Sequence, residues 1–393
     1  MRFMYLSEGD AACGQTHQAR YWELVEQVIH AEKWGFDLFG VSEQHMAVGA
    51  ATTASPEVLY GYLYGKTSRI RFRHAISLIP VNHPLKVAAN VAVSDILSNG
   101  RIELGIGRGN TTLSLRAFEV DLSTNRDKAL EGIEILKKAF TEDPFMHYGE
   151  HYKIPPRSLV PKPIQKPHPN IYMASSSVDS HLHCAELGIG TLSLSNFLGW
   201  EFLEENIASY RKGMKKTRAK GGHVNESVGV LIHAYCDETD ELAREIGGEA
   251  NLEYVHVAYT GYPRLAKMNE SYQYMGAPAK VGEKINNIDY FINDSAAAVI
   301  GSPESCIRQI EQFRKAGADE VLLRIDSVPH DKIMKSIEYF GRYVIPHFKH
   351  PENIVRQPQE VLDDIRAMRE QAKQQGVYVE LPKKPARSAP AAS

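Results

Sequence analysis

The sequence is short of the features that mark several classes of protein. Its 393 residues contain only four cysteines, Cys13, Cys184, Cys236 and Cys306, and no two of them form a CxxC pair. We therefore expect reduced thiols in the cytoplasm rather than a disulfide framework or a cysteine zinc site. Basic residues are not in excess, since the formal net charge is -3. The charge balance therefore gives no reason to expect a nucleic acid or an anionic membrane as a partner.

Long apolar runs are missing as well. No run approaches the roughly 20 consecutive apolar residues that cross a bilayer as a helix. The N-terminal stretch MRFMYLSEGD becomes acidic at Glu8, which is unlike a secretory signal peptide. The sequence therefore predicts a cytoplasmic protein without a membrane partner.

Short apolar runs alternate with amphipathic helical segments along the chain. This alternation predicts a parallel sheet, because each strand is joined to the next by at least one helix. The count of eight strands favours an α/β fold of the (β/α)8 TIM barrel type. An open, doubly wound sheet is the alternative. The predicted strands are residues 2–6, 37–41, 70–80, 101–107, 170–175, 190–195, 228–236 and 320–326.

Two segments do not fit a minimal barrel. Residues 240–300 are too long for one helix and are rich in tyrosine, so we expect an insertion before the last helix. It forms either a lid or pocket wall, or an extra pair of packed helices. The barrel with this insertion is expected over residues 1–350. A C-terminal helical extension is expected over 351–378, followed by a disordered tail over 379–393.

Polar side chains follow several predicted strands, and the carboxyl ends of barrel strands share one rim. Arginine, serine hydroxyls and the amides at the start of a helix all suit an anion, so the sequence predicts a phosphate site on this rim. Each residue alone also has an ordinary role, as a surface ion pair, a helix cap or a turn. The residues concerned are Glu43, His45, Asn82, His83, Arg108, Ser175, Ser176 and Ser177.

Other motifs are excluded by their spacing. The run GIGRGN has GxGxG rather than GxGxxG spacing, so a bound NAD is not inferred. His181 and His183 are two residues apart on a predicted helix, without a carboxylate or cysteine at suitable spacing, so no metal site is predicted. No GxSxG nucleophile turn occurs.

Several segments resemble the bacterial luciferase-like flavin-dependent monooxygenases over more than half of the chain. The resemblance is carried in order by GFDLFGVSEQHM, LSNGRIELGIGRGN, NIYMASSS and GSPESCIRQIEQFRKAGADEVLLR. That family has a (β/α)8 barrel, which agrees with the independent strand count. The resemblance implies that reduced FMN (FMNH2) binds in the mouth of the barrel.

The resemblance also assigns cofactor-binding residues by position. Arg108 and Arg126 match two arginines that contact the phosphate. Ser176 matches a phosphate-binding serine, with the backbone near Ser175 and Ser177 contributing. The step from Ala75 to Ile76 matches a peptide bond that is often cis under the flavin ring. Gly107 replaces the cysteine found near the flavin in the luciferases, so no thiol role is implied.

The family motif EHH after the second strand is altered in this chain. The matching residues are Glu43, Gln44 and His45, so glutamine replaces the histidine that usually has the role of base. Glutamine forms hydrogen bonds but exchanges no proton near neutral pH, whereas histidine does. His45 either takes over that role or keeps a supporting one.

The function implied is that of a two-component monooxygenase. A separate flavin reductase would supply FMNH2, and O2 would be activated as a flavin hydroperoxide that oxygenates a small organic substrate. A deazaflavin (F420)-dependent dehydrogenase or reductase on the same barrel is one alternative. A barrel that binds flavin without turning it over is another. A homodimer is expected from the family alone.

Overall fold

The structure is a computed structural model that describes residues 1–46, 51–109, 111–194, 198–260, 267, 287–350 and 358–377. The chain divides into two compact units, Met1–Lys349 and His350–Ser393. The described residues form eleven strands. They are β1 (Arg2–Ser7), β2 (Leu38–Val41), β3 (Arg71–Leu78), β4 (Ile102–Gly107), β5 (Phe145–Tyr148), β6 (Lys153–Arg157), β7 (Ile171–Ser175), β8 (Gly190–Ser193), β9 (Val228–Cys236), β10 (Ala298–Gly301) and β11 (Glu320–Arg324).

Helices connect these strands. Three segments of the described chain are π-helical: Arg244–Gly248, Tyr290–Asp294 and Phe340–Val344. The helices of the described residues are α1 (His17–Lys33), α2 (Pro56–Tyr64), α3 (Pro84–Leu97), α4 (Thr112–Ala117), α5 (Asn125–Thr141), α6 (Val178–Glu186), α7 (Trp200–Arg218), α8 (Asp240–Ala243), α9 (Glu249–Thr260), α10 (Pro303–Lys315), α11 (His330–Tyr339), α12 (Ile345–Lys349) and α13 (Pro358–Gln374).

Eight parallel strands close into a barrel, which confirms the (β/α)8 prediction and excludes the open sheet. Around the ring the order is β9, β11, β1, β2, β3, β4, β7 and β8. The ring is closed where Thr191 of β8 pairs with Val228 of β9. All eight were predicted from the sequence. The prediction missed β10, which pairs with the second half of β9, and the antiparallel hairpin of β5 and β6.

Apolar side chains fill the middle of the barrel. Successive residues of a strand point to opposite faces, so every second residue points inward. Leu6, Leu192 and Leu322 pack together there with other inward-pointing side chains, and Leu231 packs against them. The larger hydrophobic core lies outside the ring, between the strands and the helices that surround it.

A buried network of charged groups lies at the opposite end of the barrel from the strand carboxyl ends. The Arg73 guanidinium lies 2.7 Å from the Glu320 carboxylate and 3.8 Å from the centre of the Tyr172 ring. Glu103 pairs with both Arg73 and Arg2. Burial alone would raise the pKa of the Glu103 carboxyl, but the neighbouring arginines hold it below its usual range. The network therefore stays ionised and closes this end of the barrel.

The predicted insertion over residues 240–300 contains both helix and strand. Helices α8 and α9 lie in its first part and β10 in its last part, while residues 261–266 and 268–286 lie outside the described residues. Helix α13 falls within the predicted extension over 351–378 and belongs to the second unit. The predicted tail over 379–393 lies outside the described residues. Among the described helices, none has the length and apolar character needed to cross a membrane.

Candidate active site

Glu43 lies at the carboxyl end of β2 and holds several neighbouring groups in place. One of its carboxylate oxygens accepts hydrogen bonds from the Leu78 amide at 2.9 Å and, at the longer distance of 3.4 Å, from the Ser77 hydroxyl. The other oxygen accepts from the Asn82 side chain at 2.8 Å and lies 2.7 Å from His45 Nε2. The carboxylate is buried. Its position therefore joins the ends of β2 and β3.

His45 is oriented by contacts on both sides of its ring. Besides the contact with Glu43, its ring lies 4.8 Å from the Phe118 ring in an edge-on arrangement. Its carbonyl accepts a hydrogen bond from Ser114 of α4. The Gln44 backbone donates to the Thr53 carbonyl at 3.1 Å, while its side chain makes no hydrogen bond within the described part of the chain. Of Gln44 and His45, only His45 therefore has a side chain held in place by described neighbours.

His83, which the sequence also placed on this rim, has a structural role. It occupies the N-cap position of α3, where its Nδ1 accepts a hydrogen bond from the Leu85 amide at 3.2 Å. Its ring packs edge-on against Tyr152. The turn interpretation of this histidine therefore agrees with its position in the structure.

The peptide bond between Ala75 and Ile76 in β3 is cis. The Ile76 carbonyl accepts a hydrogen bond from the Glu43 amide at 3.2 Å, so this step lies beside the Glu43–His45 pair. A Cβ atom on Gly107 of β4 would lie 1.7 Å from the Ile76 side chain. Since real atoms do not approach so closely, a cysteine at Gly107 would displace Ile76.

Two arginines lie on the next sector of the rim. Arg108 follows β4 directly, and its carbonyl lies 3.4 Å from the side-chain amide of the buried Asn125, which begins α5. Arg126 is the next residue of α5, and its guanidinium lies 3.4 Å from His183 Nδ1 on α6. Arg126 therefore links the start of α5 to α6.

The three serines after β7 differ in what their side chains do. The Ser175 hydroxyl is buried and lies 3.1 Å from the Cys184 sulfur. Ser177 caps α6, and its hydroxyl and that of Ser180 form a reciprocal capping box. The Ser176 hydroxyl makes no hydrogen bond within the described part of the chain. The amides of Ser176 and Ser177 both donate to the Ser180 hydroxyl at 3.0 Å.

We call Arg108, Arg126 and Ser176 the phosphate cradle. It combines two cationic side chains with a hydroxyl at the N-terminus of α6, where the helix dipole favours an anion. A phosphate is bound by such groups, because a guanidinium has a planar set of donors that matches its oxygens. The residues present therefore fit the phosphate end of FMN.

A second polar group at the mouth was not identified from the sequence. We call Glu8, Asp10, Tyr254 and Arg324 the acid–arginine cluster. Arg324 Nε lies 3.1 Å from Glu8, and its terminal nitrogen pairs with Asp10. The Arg324 guanidinium also lies 3.4 Å from the centre of the Tyr254 ring, and the Tyr254 hydroxyl donates to Glu8.

The sequence holds a weak signal for this cluster. Glu8 continues the inward alternation of Met4 and Leu6 in β1, and Arg324 continues that of Leu322 in β11. Charged residues at inward positions near a strand's carboxyl end are candidates for a site. Tyr254 could not be placed in this way, because it comes from the insertion helix α9.

The sequence of this chain matches the model of the luciferase-like monooxygenase family over residues 1–320. The chain belongs to the luciferase-like monooxygenase family. Its membership confirms both the resemblance found in the sequence and the enzyme class predicted there, a flavin-dependent monooxygenase. The (β/α)8 barrel is the fold expected for such a chain.

Individual relatives are similar over most of their length. The oxygenase component of a flavin-dependent trigonelline monooxygenase from Acinetobacter baylyi is 25% identical over 339 residues, which cover 85% of this chain and 91% of that protein. Among solved structures, the oxygenating constituent of 3,6-diketocamphane monooxygenase from Pseudomonas putida, in complex with FMN, superposes with a TM-score of 0.70. It is 20% identical and covers 88% of this chain and 98% of its own.

An F420-dependent secondary alcohol dehydrogenase superposes almost as well. Its TM-score is 0.69 at 18% identity, again covering 88% of this chain and 98% of that one. At these identities the two structural comparisons show the fold alone. The choice between FMN and F420 therefore depends on the site of this chain.

Proposed function

We propose that this protein is the oxygenase of a two-component, FMNH2-dependent monooxygenase that oxygenates a small organic substrate with O2. The observation that carries the proposal is the phosphate cradle on the same rim as the Glu43–His45 pair. A separate flavin reductase would supply FMNH2, consistent with the relative named as an oxygenase component. The free thiols of the buried Cys184, Cys236 and Cys306 are consistent with a cytoplasmic location.

In this proposal the phosphate of FMN is held by Arg108, Arg126 and Ser176. The capping arrangement around Ser177 fixes the N-terminus of α6, and Ala75 and Ile76 would contact the flavin ring. Reduced FMN supplies the electrons that activate O2. The chain supplies the position of the cofactor, a site shielded from water and groups that hold a proton.

His45 is our candidate for acid–base work in the Glu43–His45 pair. Glu43 fixes the orientation of the ring, as a carboxylate does for a catalytic histidine. Gln44 can orient a bound group by hydrogen bonding but cannot exchange a proton near neutral pH. If Gln44→His raised turnover while His45→Ala left it intact, this assignment would be wrong.

The proposal is tested by supplying FMNH2 from a flavin reductase and following candidate substrates by mass spectrometry under ¹⁸O2. We expect one labelled oxygen atom in the product, with turnover lost in the Arg108→Ala variant. Arg116→Ala is the matched control, because it removes an exposed arginine at the end of α4. Product formed without O2, or an unlabelled product, would contradict the proposal.

The F420-dependent alternative is kept open by the structural similarity to the secondary alcohol dehydrogenase. The same experiment separates the two, because a dehydrogenase transfers hydride and needs no oxygen. In anaerobic solution, consumption of reduced F420, or of an alcohol with oxidised F420 as the hydride acceptor, would favour the alternative. Binding of FMN without turnover of any substrate would indicate a flavin-binding protein that is not an enzyme.

We also propose a homodimer. Helices α1, α2 and α3 lie side by side, since Trp22 packs against Tyr62 and Asn90 donates to Glu57. Their outer surface carries large apolar side chains exposed by about half, and such a patch favours association with a second copy of the same chain. These side chains are Trp22, Ile29, Val58, Tyr62, Val93, Ile96 and Leu97.

A further inference from the structure

The acid–arginine cluster lies across the barrel from the phosphate cradle. In the ring of eight strands, β11 is four places from β4, and β1 is four places from β7. Arg324 is the last residue of β11 and Glu8 follows β1, whereas Arg108 and Ser176 follow β4 and β7. The mouth therefore has a cationic side that suits a phosphate and, opposite it, a side with carboxylates.

The loop that carries the two carboxylates is held rigidly. Asp326, just after β11, accepts hydrogen bonds from the amides of Glu8 and Gly9 at 2.5 and 3.0 Å. It is paired in turn with Arg20 of α1 at 3.1 Å, and Arg20 Nε donates to the Asp10 carbonyl at 2.7 Å. Because neighbouring elements fix this backbone, Glu8 and Asp10 occupy defined positions.

One oxygen of Asp10 makes no hydrogen bond to any described residue. Its Oδ2 pairs with Arg324, but Oδ1 is buried and receives no hydrogen bond within the part of the chain that the structure describes. His233 lies next to Arg324 in the sheet, where β9 pairs with β11. The Nδ1 atom of this buried histidine also has no hydrogen-bond partner among the described residues. Buried polar atoms are nearly always hydrogen-bonded, so these two open atoms beside Arg324 leave room for a hydrogen bond to water or to another bound molecule.

The surroundings of Asp10 and His233 shift their pKa values in opposite directions. Burial raises the pKa of Asp10 to about 7; Arg324 opposes this rise, and the carboxylates of Asp326 and Glu8 add to it. Burial and the positive charge of Arg324 lower the pKa of His233 to about 3, so this imidazole stays neutral. Tyr254, which also faces the cluster, has a pKa raised well above its usual value by burial and by Glu8. The raised pKa of Asp10 therefore suits the exchange of a proton near neutral pH.

We propose that Asp10 is a second acid–base group of this site, which delivers a proton from Oδ1 to reduced oxygen in the mouth of the barrel. Glu8 and Arg324 are positioning residues for it. This proposal rests on the proposed function above. Oxygenation of a substrate places one atom of O2 in the product and releases the other as water, with two electrons and two protons supplied by FMNH2. Asp10 gives its proton to the departing oxygen atom and regains one of the two protons released when FMNH2 becomes FMN, directly or through solvent, so it is unchanged overall.

The first test needs no cofactor. The protonation of Asp10 is followed by NMR of the protein labelled with ¹³C at the aspartate carboxyl carbons, with Asp10→Asn assigning the resonance. We expect a titration midpoint near 7 that moves to lower pH in Glu8→Gln, because one repelling charge is removed. The exposed Glu253→Gln on α9 removes the same charge and should leave the midpoint in place. A midpoint near 4 in the wild type would overturn the proposal.

The second test uses reduced FMN and O2 without substrate, a reaction that yields FMN and H2O2. Reoxidation of the bound FMNH2 is followed in single turnovers as a function of pH. We expect the wild-type rate to fall as the pH rises through about 7. General acid catalysis contributes about 100-fold or more, so Asp10→Asn should be slower by at least ~10-fold at pH 6 and nearly independent of pH.

The two proposals fail in different ways. If the protein does not bind FMNH2, the proposed function is wrong. If FMNH2 binds with equal affinity to the wild type and to Asp10→Asn, but their reoxidation rates share one pH profile, the role of Asp10 alone is overturned. If Asp10→Asn binds FMNH2 as tightly as the wild type but its reoxidation rate no longer depends on pH, both the proposed function and the role of Asp10 are supported.

Discussion

Single carboxylates fix both sides of the mouth of this barrel. Glu43 joins the end of β2 to β3 and orients His45, while Asp326 fixes the loop that presents Glu8 and Asp10. A buried carboxylate with several donors is strongly held, because each donor would otherwise lose its hydrogen bond. The orientation of the candidate acid–base groups therefore depends on residues that need not contact the substrate themselves.

Replacing Glu43 by alanine should destabilise the protein. The Leu78 amide, the Asn82 side chain and His45 would lose their common acceptor, and an unsatisfied buried group costs about 1–3 kcal/mol. The free energy of unfolding is measured in urea for the wild type, Glu43→Ala and the neighbouring control Gln44→Ala. A loss of stability as large in Gln44→Ala as in Glu43→Ala would show that Glu43 has no special role.

The raised pKa of Asp10 also predicts how stability changes with pH. The folded protein holds this proton up to about pH 7, whereas the unfolded chain releases it near 4, so stability is lost as the pH rises through this window. In Asp10→Asn this loss is absent. The melting temperature of the variant relative to the wild type should therefore rise between pH 5 and pH 8.

The exposed Asp331→Asn serves as the control and should show no such trend. The Glu8, Asp326, Tyr254 and Arg324 side chains that surround Asp10 are present in both proteins. A constant difference in melting temperature between Asp10→Asn and the wild type would contradict the raised pKa.

Helix α9 connects the insertion to the mouth of the barrel. Tyr254 of α9 donates its hydroxyl proton to Glu8, and its ring packs on the Arg324 guanidinium and lies 5.5 Å from the His233 ring. A stacked arginine and a hydrogen bond to a carboxylate hold one face of the helix against the barrel. This part of the insertion is thus held against the carboxyl ends of β1, β9 and β11 through Tyr254.

Tyr254→Phe should loosen α9 while keeping the ring stacked on Arg324. Hydrogen exchange of the amides over Glu249–Thr260 should become faster, because the hydrogen bond to Glu8 is lost. The control is Tyr290→Phe, in a π-helical turn of the same insertion. Equal exchange in the wild type and Tyr254→Phe would show that the hydroxyl does not hold the helix.

The elements differ in how well their sequence predicts them. Strands such as residues 228–236 are mostly apolar, since both faces are buried, and the prediction matched β9 residue for residue. Strand β10 was missed because three of its four residues lie at the end of a segment interpreted as an insertion. Arg108 and His45 were found because they follow predicted strands. Asp10 was not, because its place beside Arg324 depends on a loop turn and on the closure of the ring.

At the scale of the whole molecule, the two ends of the barrel carry different kinds of residues. The Arg73–Glu103–Glu320 network closes one end, whereas both candidate site clusters lie at the other. Such a division is typical of barrels, in which the carboxyl ends of the strands carry the chemistry. The outer surface of α1, α2 and α3 lies away from the mouth, so an interface there would leave it open.

Val58→Glu should weaken the proposed homodimer. Val58 is 71% exposed on α2, and a charge buried in an apolar interface would be unfavourable. Sedimentation velocity should show a dimer for the wild type and a shift toward monomer for the variant. Val160→Glu, at an 82% exposed valine outside these helices, is the control and should stay dimeric. A wild-type monomer at all concentrations would contradict the homodimer.

The most direct test of the central claim is an anaerobic titration of the protein with FMNH2, reduced riboflavin and reduced F420, followed by absorbance. Charge-assisted hydrogen bonds contribute about 1.5–3 kcal/mol each, so FMNH2 should bind at least ~10-fold more tightly than reduced riboflavin, which lacks the phosphate. Arg108→Ala should reduce this preference, and Arg116→Ala should keep it. Equal binding of FMNH2 and reduced riboflavin by the wild type, or tighter binding of reduced F420, would contradict the account.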